Sequence, residues 1–301
     1  MQHERRALCG AGDGSGREPN AVCPDHPSFL HTRAMVEGFR SPLAADALEG
    51  RFAIVTGGGT GIGAASAHAI VAAGGSVAIC GRRPEPIAAV AEELGDRCFQ
   101  QPCDIREPGQ VGAFLDAIGE RTDRVNILVN NAGGQFAAGL EQTSLKGMRA
   151  IHRLNVDATW DLTTRVAERW MIPQRNGFVA FLGFSPRRGI PQVVPSSMAR
   201  SALETFASGI ALEWSRYGIR AVCISAGVIQ TEGILQYGGQ EVVDAFADQI
   251  PMRRAGSPEE VAATIAFLAS DGGGYITGTT VVVDGGADAW GLGHEPPPLE
   301  S

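Results

Sequence analysis

Seven short apolar runs, separated by helix-compatible stretches, constrain the fold more than any other feature of this chain. They are FAIVTG (52–57), SVAICG (76–81), CFQQPCD (98–104), NILVNNA (126–132), GFVAFLG (177–183), RAVCISAG (220–227) and TTVVVDGG (279–286). Most are apolar at consecutive positions, so both faces of each strand need cover, and strands of that kind separated by helices make a parallel sheet packed on both sides. The expected architecture is α/β, a single doubly wound domain over residues 48–288 with a seven-stranded parallel sheet. No repeat and no break in composition marks a second domain.

The ends of the chain read differently. Residues 1–34 mix Gly, Arg, Pro, His and acidic residues without apolar periodicity, and they are expected to form a disordered extension. Met35 opens a segment that runs smoothly into the first strand and is expected to be the natural start, a genuine flexible extension being the alternative. Residues 289–301, closing on GLGHEPPPLES, are expected to be a flexible tail.

A net charge of −8 and a pI near 5.3, with arginines in pairs but never in a basic run, argue against a nucleic-acid partner. No stretch approaches the roughly 18 consecutive apolar residues of a membrane span. Cysteines 9, 23, 80, 98, 103 and 223 include no CxxC spacing, so reduced thiols, no metal site and a cytoplasmic location are expected.

The first run passes directly into Thr56-Gly-Gly-Gly-Thr-Gly-Ile-Gly63, and a helix-compatible stretch follows. Glycines are required where a strand turns sharply into a helix and where the backbone must approach a pyrophosphate at the helix N-terminus. The strand before, the helix after and the next strand at 76 turn a weak glycine signal into a Rossmann-type dinucleotide site, with Gly57, Thr60, Gly61, Ile62 and Gly63 around the phosphates. After the second strand comes Cys80-Gly-Arg-Arg83, with no acid for a ribose 2′-hydroxyl. Arg82 and Arg83 instead suit a 2′-phosphate, so NADP(H) is the expected cofactor; two solvated loop arginines are the alternative.

The spacing of Gly57, Gly61 and Gly63, Asn130-Asn-Ala-Gly133 after the fourth strand, Asp104 after the third, Asn155 in a helix and Gly227–Thr231 after the sixth resemble the short-chain dehydrogenase/reductase family over about residues 48–288. The resemblance implies that Asp104 and Ile105 flank the adenine, that Asn131, Ala132 and Gly133 line the adjoining ribose, and that Ile229 and Thr231 hold the nicotinamide carboxamide. Where the family usually has Pro-Gly after the sixth strand, this chain has Ala226-Gly227.

The reaction end departs from the family. A Tyr with a Lys four residues later is expected after the fifth strand, and this chain has Ser196 and Arg200. An aliphatic hydroxyl is too weak an acid to replace a phenol, and an arginine stays charged, so ordinary ketone or alcohol chemistry is disfavoured. Reduction of a C=C bond conjugated to a thioester needs only donors aimed at the thioester oxygen. Asn155, Ser185, Ser196 and Arg200 are the candidates, Arg200 also for the ribose hydroxyls.

VVPSSMAR (193–200) resembles the enoyl-CoA and 2,4-dienoyl-CoA reductases of the family, which have Ser at this position. One departure is that dienoyl reductases carry a catalytic Tyr near Ser185. The implied activity is NADPH-dependent reduction of a 2-enoyl thioester. A carbonyl reductase or alcohol dehydrogenase with a rebuilt proton relay, and a dinucleotide-binding protein without catalysis, stand beside it.

Other individual readings stay open. Ser185 and Ser196 suit a strand end and a helix cap equally well, Asn155 suits a helix kink, and Arg187 with Arg188 suit either CoA phosphates or solvent. An apolar face on the helix after 196 (Leu203, Phe206, Ala207, Ile210, Ala211, Trp214) suits packing on the sheet or a homodimer or homotetramer interface.

Overall fold

The computed structural model describes residues 43–185, 190–235 and 239–290. The readings of residues 1–34, Met35, Arg187, Arg188 and the tail beyond 290 lie outside them. Within them the strands are β1 (Phe52–Thr56), β2 (Ser76–Gly81), β3 (Cys98–Pro102), β4 (Ile127–Asn130), β5 (Gly177–Leu182), β6 (Ile219–Ala226) and β7 (Thr279–Val283). They form one parallel sheet in the order β3-β2-β1-β4-β5-β6-β7. Several of the expected runs continue past the true strand ends. The overshooting residues, Gly57, Cys103, Asp104, Asn131, Ala132, Gly183, Gly227 and Asp284 to Gly286, leave the sheet at its C-terminal edge, where a parallel sheet builds its sites.

The described helices are α1 (Gly61–Ala72), α2 (Pro84–Leu94), α3 (Pro108–Gly119), α4 (Leu145–His152), α5 (Ala158–Val166), α6 (Ile172–Gln174), α7 (Val194–Trp214), α8 (Glu232–Leu235), α9 (Gly239–Ala247) and α10 (Pro258–Ala269). Alternate strand residues face opposite layers. Ile54, Leu128, Val179, Phe181 and Cys223 pack against α3, α5 and α7, while Val55, Ile79, Val129, Ala180 and Ile224 pack against α1, α2 and α10. In α3 the buried residues Val111, Phe114, Leu115 and Ile118 recur at helical spacing, one apolar stripe laid on the sheet. Pro84, Pro108 and Pro258 open their helices where no backbone N–H is needed.

Two details bear on the site. The helical segment from α4 to α6 is widened by π-helical turns at Arg153–Asp157 and Ala167–Met171, and Asn155 sits buried in the first. Ordered packing also begins upstream of the expected boundary at 48. Leu48 is fully buried and donates its N–H to Ala73 O at 2.7 Å, and Leu43 and Ala47 pack on the same core. At the far end a 3₁₀ turn at Asp288–Trp290 carries the chain past 288. No helix among the described residues is long and apolar enough to cross a membrane.

Candidate active site

The strand order reverses between β1 and β4, and a cleft of ≈ 360 Å³ lies over their C-terminal ends and those of β2 and β3. Gly57 (φ +65°) and Gly61 (φ +53°) adopt left-handed backbone in the turn that forms its floor. Gly63 stands behind that floor: a Cβ there would lie 2.1 Å from Gly57 O, so its glycine serves strand-to-helix packing and does not line the cleft. Thr56 anchors the turn, because its hydroxyl accepts the N–H groups of Asn131 (3.1 Å) and Ala132 (2.9 Å). Asn131 completes the brace by donating its side-chain amide to Thr56 O (2.9 Å) and Gly57 O (3.2 Å).

The cleft has the features a dinucleotide requires. Thr60 caps α1 without a side-chain hydrogen bond, and no acidic residue sits in the first turn, so the N–H groups and positive dipole end of the helix face the cleft uncompensated. Gly61 leaves room at a place where a Cβ would come within 3.0 Å of Thr231. Arg82 and Arg83 line the wall beyond β2, and none of the described ion pairs uses either. Asp104 lies on the same wall, but Arg106 takes its carboxylate bidentately, Nε to Oδ1 at 2.9 Å and Nη2 to Oδ2 at 2.5 Å. Those hydrogen bonds hold the Asp104 carboxyl below its ordinary pKa, and it stays an anion. Ile105, beside it, is buried and also lines the cleft.

Toward β5 and β6 two of the proposed reaction residues, Arg200 and Asn155, converge on Gly133. Arg200, half-buried on α7, donates to Leu182 O at the end of β5. A Cβ on Gly133 would lie 2.1 Å from Arg200 Nη2 and 2.7 Å from Asn155 Oδ1, so the glycine admits both side chains against the backbone after β4. Burial pushes the Arg200 pKa down to about 10, and the guanidinium remains charged at neutral pH. None of the described ion pairs includes it. Ser196, one helical turn earlier on the same face, is buried, and none of the described hydrogen bonds uses its hydroxyl. It is not a cap, since α7 begins at Val194 after Val193.

Two of the four expected donors are committed elsewhere. Asn155 spends its amide hydrogens on Gly134 O (3.0 Å) and Ile151 O (2.9 Å), which fixes the π turn to the loop after β4. Ser185, also buried, donates its hydroxyl hydrogen to Asp284 Oδ2. Asp284 was not among the residues singled out from sequence. Its signal was a carboxylate one residue beyond β7, at the C-terminal edge of the sheet where Ser185 also lies.

Ile229 turns its side chain into the core, away from the cleft. Its bridge to Gly256 is made by Val228 O and Gln230 N, which leaves the amide and carbonyl of Ile229 outside that ladder. Thr231 faces the cleft directly. Among the described residues no group of three or more His, Cys, Asp or Glu side chains could hold a metal ion.

Residues 57–288 match the family model described as enoyl-(acyl carrier protein) reductase. A probable 2,4-dienoyl-CoA reductase of Caenorhabditis elegans is 35% identical over 82% of this chain and 83% of its own. D-threitol dehydrogenase of Mycolicibacterium smegmatis is 32% identical over 79% of this chain and 93% of its own. Among solved structures, a short-chain dehydrogenase/reductase family protein superposes with a TM-score of 0.74 at 30% identity, covering 81% of this chain and 99% of that one. The glycine turn, the Asn131 brace, the parallel sheet and these likenesses agree: the chain belongs to the short-chain dehydrogenase/reductase family and is an oxidoreductase of that family, with a cleft for a nicotinamide dinucleotide.

Proposed function

We propose that the protein is an NADPH-dependent reductase of a C=C bond conjugated to an acyl thioester. The observation that carries this reading is the pair Ser196 and Arg200. Arg200 is a guanidinium with a pKa of about 10, held between Leu182 O and Gly133, and Ser196 is a hydroxyl outside the described hydrogen bonds. Both can donate hydrogen bonds, and neither supplies the easily exchanged proton that carbonyl reduction needs. Charge developing on a thioester oxygen needs donors alone. When bound, the reduced dinucleotide supplies hydride to the β-carbon.

Ser185 takes a different part from the one expected of it. With its hydrogen committed to Asp284, it offers lone pairs to the site and acts as an acceptor. Asn155 holds the Gly133–Gly134 backbone in position for Arg200. The proton that ends the reaction goes to carbon, and water is its proposed source.

The preference for NADPH is supported by Arg82 and Arg83 on the cleft wall and by the engagement of Asp104 with Arg106. Gly57, Thr60, Gly61 and Ile62 would hold the pyrophosphate, Ala132 and Gly133 the ribose, and Thr231 with the backbone of Ile229 the carboxamide. Gly63 and Asn131 would act by shaping the turn.

A homo-oligomer, tetramer or dimer, is proposed from the exposed apolar residues on α5 and α7. Trp160 is 57% and Leu212 83% exposed, and Trp160 stacks on Phe206 at 4.8 Å. The free thiols Cys80, Cys98 and Cys103 suit a reducing compartment, the cytoplasm being the one proposed.

The D-threitol dehydrogenase likeness favours a second reading, polyol or carbonyl chemistry. Purified protein with NADPH is offered a short 2-enoyl-CoA, a 2,4-dienoyl-CoA, ketones and aldehydes, and with NADP a polyol panel, products being identified by mass. Saturation of the thioester C=C supports the proposal. Turnover confined to carbonyls or polyols overturns it, and tight NADPH binding without turnover points to a non-catalytic role.

A further inference from the structure

Cys80 and Cys103 lie at the ends of neighbouring strands, at the adenosine end of the cleft. Cys80 ends β2 and Cys103 follows β3, its neighbour in the sheet, with Cys103 N donating to Gly81 O at 2.9 Å. Both residues line the cleft and belong to one buried cluster. Cys80 is also built into the glycine turn, its carbonyl accepting from Gly58 N at 3.1 Å. Cys103 adjoins Asp104 and Ile105, which line the same wall.

We propose that Cys80 and Cys103 are an oxidisable dithiol, which hydroperoxides convert to a disulfide that lowers the affinity of the cleft for the dinucleotide. This rests on the cleft being the dinucleotide site. In the first step the Cys103 thiolate attacks the peroxide O–O bond, giving Cys103 sulfenic acid and releasing water or an alcohol. In the second, the Cys80 sulfur attacks the sulfenic sulfur, the S–S bond forms and water leaves. The two thiols lose two electrons and two protons, and the peroxide is reduced by two electrons.

The neighbouring thiols push the Cys80 pKa up and pull that of Cys103 down, so Cys103 is the better first nucleophile. A bond of about 2.05 Å pulls Cys80, whose carbonyl holds Gly58 N, toward Cys103 and tightens the wall beside Asp104. The turn that must embrace a pyrophosphate is thereby displaced. Cys98, pushed up to about 11 by burial alone, lacks this partner and serves as a control.

The full-length protein is treated with hydrogen peroxide without and with NADPH, digested under non-reducing conditions, and assayed for NADPH affinity before and after dithiothreitol. A link between the peptides carrying Cys80 and Cys103, retained in Cys98→Ser and lost in Cys103→Ser, is expected. So are an affinity loss of at least several-fold that dithiothreitol reverses and a slower oxidation when NADPH is present. Cys80 and Cys103 that stay alkylatable after peroxide, or a disulfide that leaves NADPH affinity unchanged, would overturn the proposal. Protein that binds no dinucleotide when reduced, yet links Cys80 to Cys103 under peroxide, would overturn the cofactor reading and the affinity effect that rests on it, and leave the oxidisable pair standing.

Discussion

Ser185 donates its hydroxyl to the carboxylate of Asp284, which ties the end of β5 to the end of β7 across the intervening strand β6. Asp284 also accepts Gly286 N (2.8 Å) and Asp288 N (2.7 Å), and a Cβ on Gly227 would lie 2.7 Å from its own Cβ. One carboxylate thus gathers three donors and the turn after β6. Asp284→Ala strips all three of their acceptor, and hydrogen bonds to a charged group are each worth about 1.5–3 kcal/mol. Urea unfolding is expected to show a loss of at least about 2 kcal/mol, with thioester turnover falling in the same variant. An unchanged midpoint would mean that water replaces the carboxylate at no cost.

Arg200→Met removes the guanidinium while keeping much of its apolar stem. Turnover is expected to fall by about 10²–10³, the usual effect of losing one donor to a developing oxyanion, and NADPH affinity to fall with it. The charge carries a pH signature. Burial sets the folded pKa near 10, below the ordinary arginine value, so activity is expected to decline as pH rises through about 10. Stability runs the other way: between that value and the ordinary one the unfolded chain binds more protons, and stability attributable to this group rises with pH. A profile flat to pH 11 would remove Arg200 from the reaction.

Much of this architecture can be read from the chain because each strand is apolar on consecutive residues, and such runs admit few folds. The glycine turn is equally legible, since Gly57, Gly61 and Gly63 answer local demands of backbone sign and close approach. Side-chain direction is not legible in that way. Nothing local to Asn155 says that its amide turns back on Gly134, nor does VVVDGG say that Asp284 reaches β5. Those partners are 21 and 99 residues away, and only the folded sheet brings them together. The π turn at Arg153–Asp157 likewise has no sequence period of its own.

Gly133→Ala tests the packing of the reaction centre without touching a polar group. The new methyl would stand 2.1 Å from Arg200 Nη2 and 2.7 Å from Asn155 Oδ1, so the guanidinium must move. A turnover defect close to that of Arg200→Met is expected, with a small change in thermal stability because the displaced group is a side-chain end. Full activity would show that Arg200 works from a position other than the one it holds here.

Arg82→Ala and Arg83→Ala address the choice of dinucleotide. Each arginine lines the wall beyond β2, and a charge-assisted hydrogen bond to a phosphate is worth about 1.5–3 kcal/mol. Each single variant is expected to raise KM for NADPH by roughly 10- to 100-fold, by that energy, and the double variant by more, while leaving KM for NADH nearly unchanged. Equal effects on both would identify the pair as general wall residues with no part in reading the 2′-phosphate.

Glu260 braces the turn that pairs with Ile229 beyond β6. It accepts Arg254 through both oxygens, Nη1 at 2.8 Å and Nη2 at 2.7 Å, and Ser257 N at 2.9 Å as part of the capping box that opens α10. The turn held this way carries Gly256, the bridge partner of Ile229. Arg254 keeps the Glu260 carboxyl below its ordinary pKa, so the stability it lends is fully present above the ordinary value and is lost as pH falls through the folded one. Glu260→Gln is expected to cost about 1–2 kcal/mol at pH 7, between an exposed pair and a buried charged hydrogen bond, and to narrow that gap toward pH 3. Because the turn positions Ile229, NADPH affinity should weaken along with stability in the same variant. Denaturation at pH 7 and pH 3, read beside NADPH titration, separates this from a surface ion pair, whose loss would leave the affinity where it was.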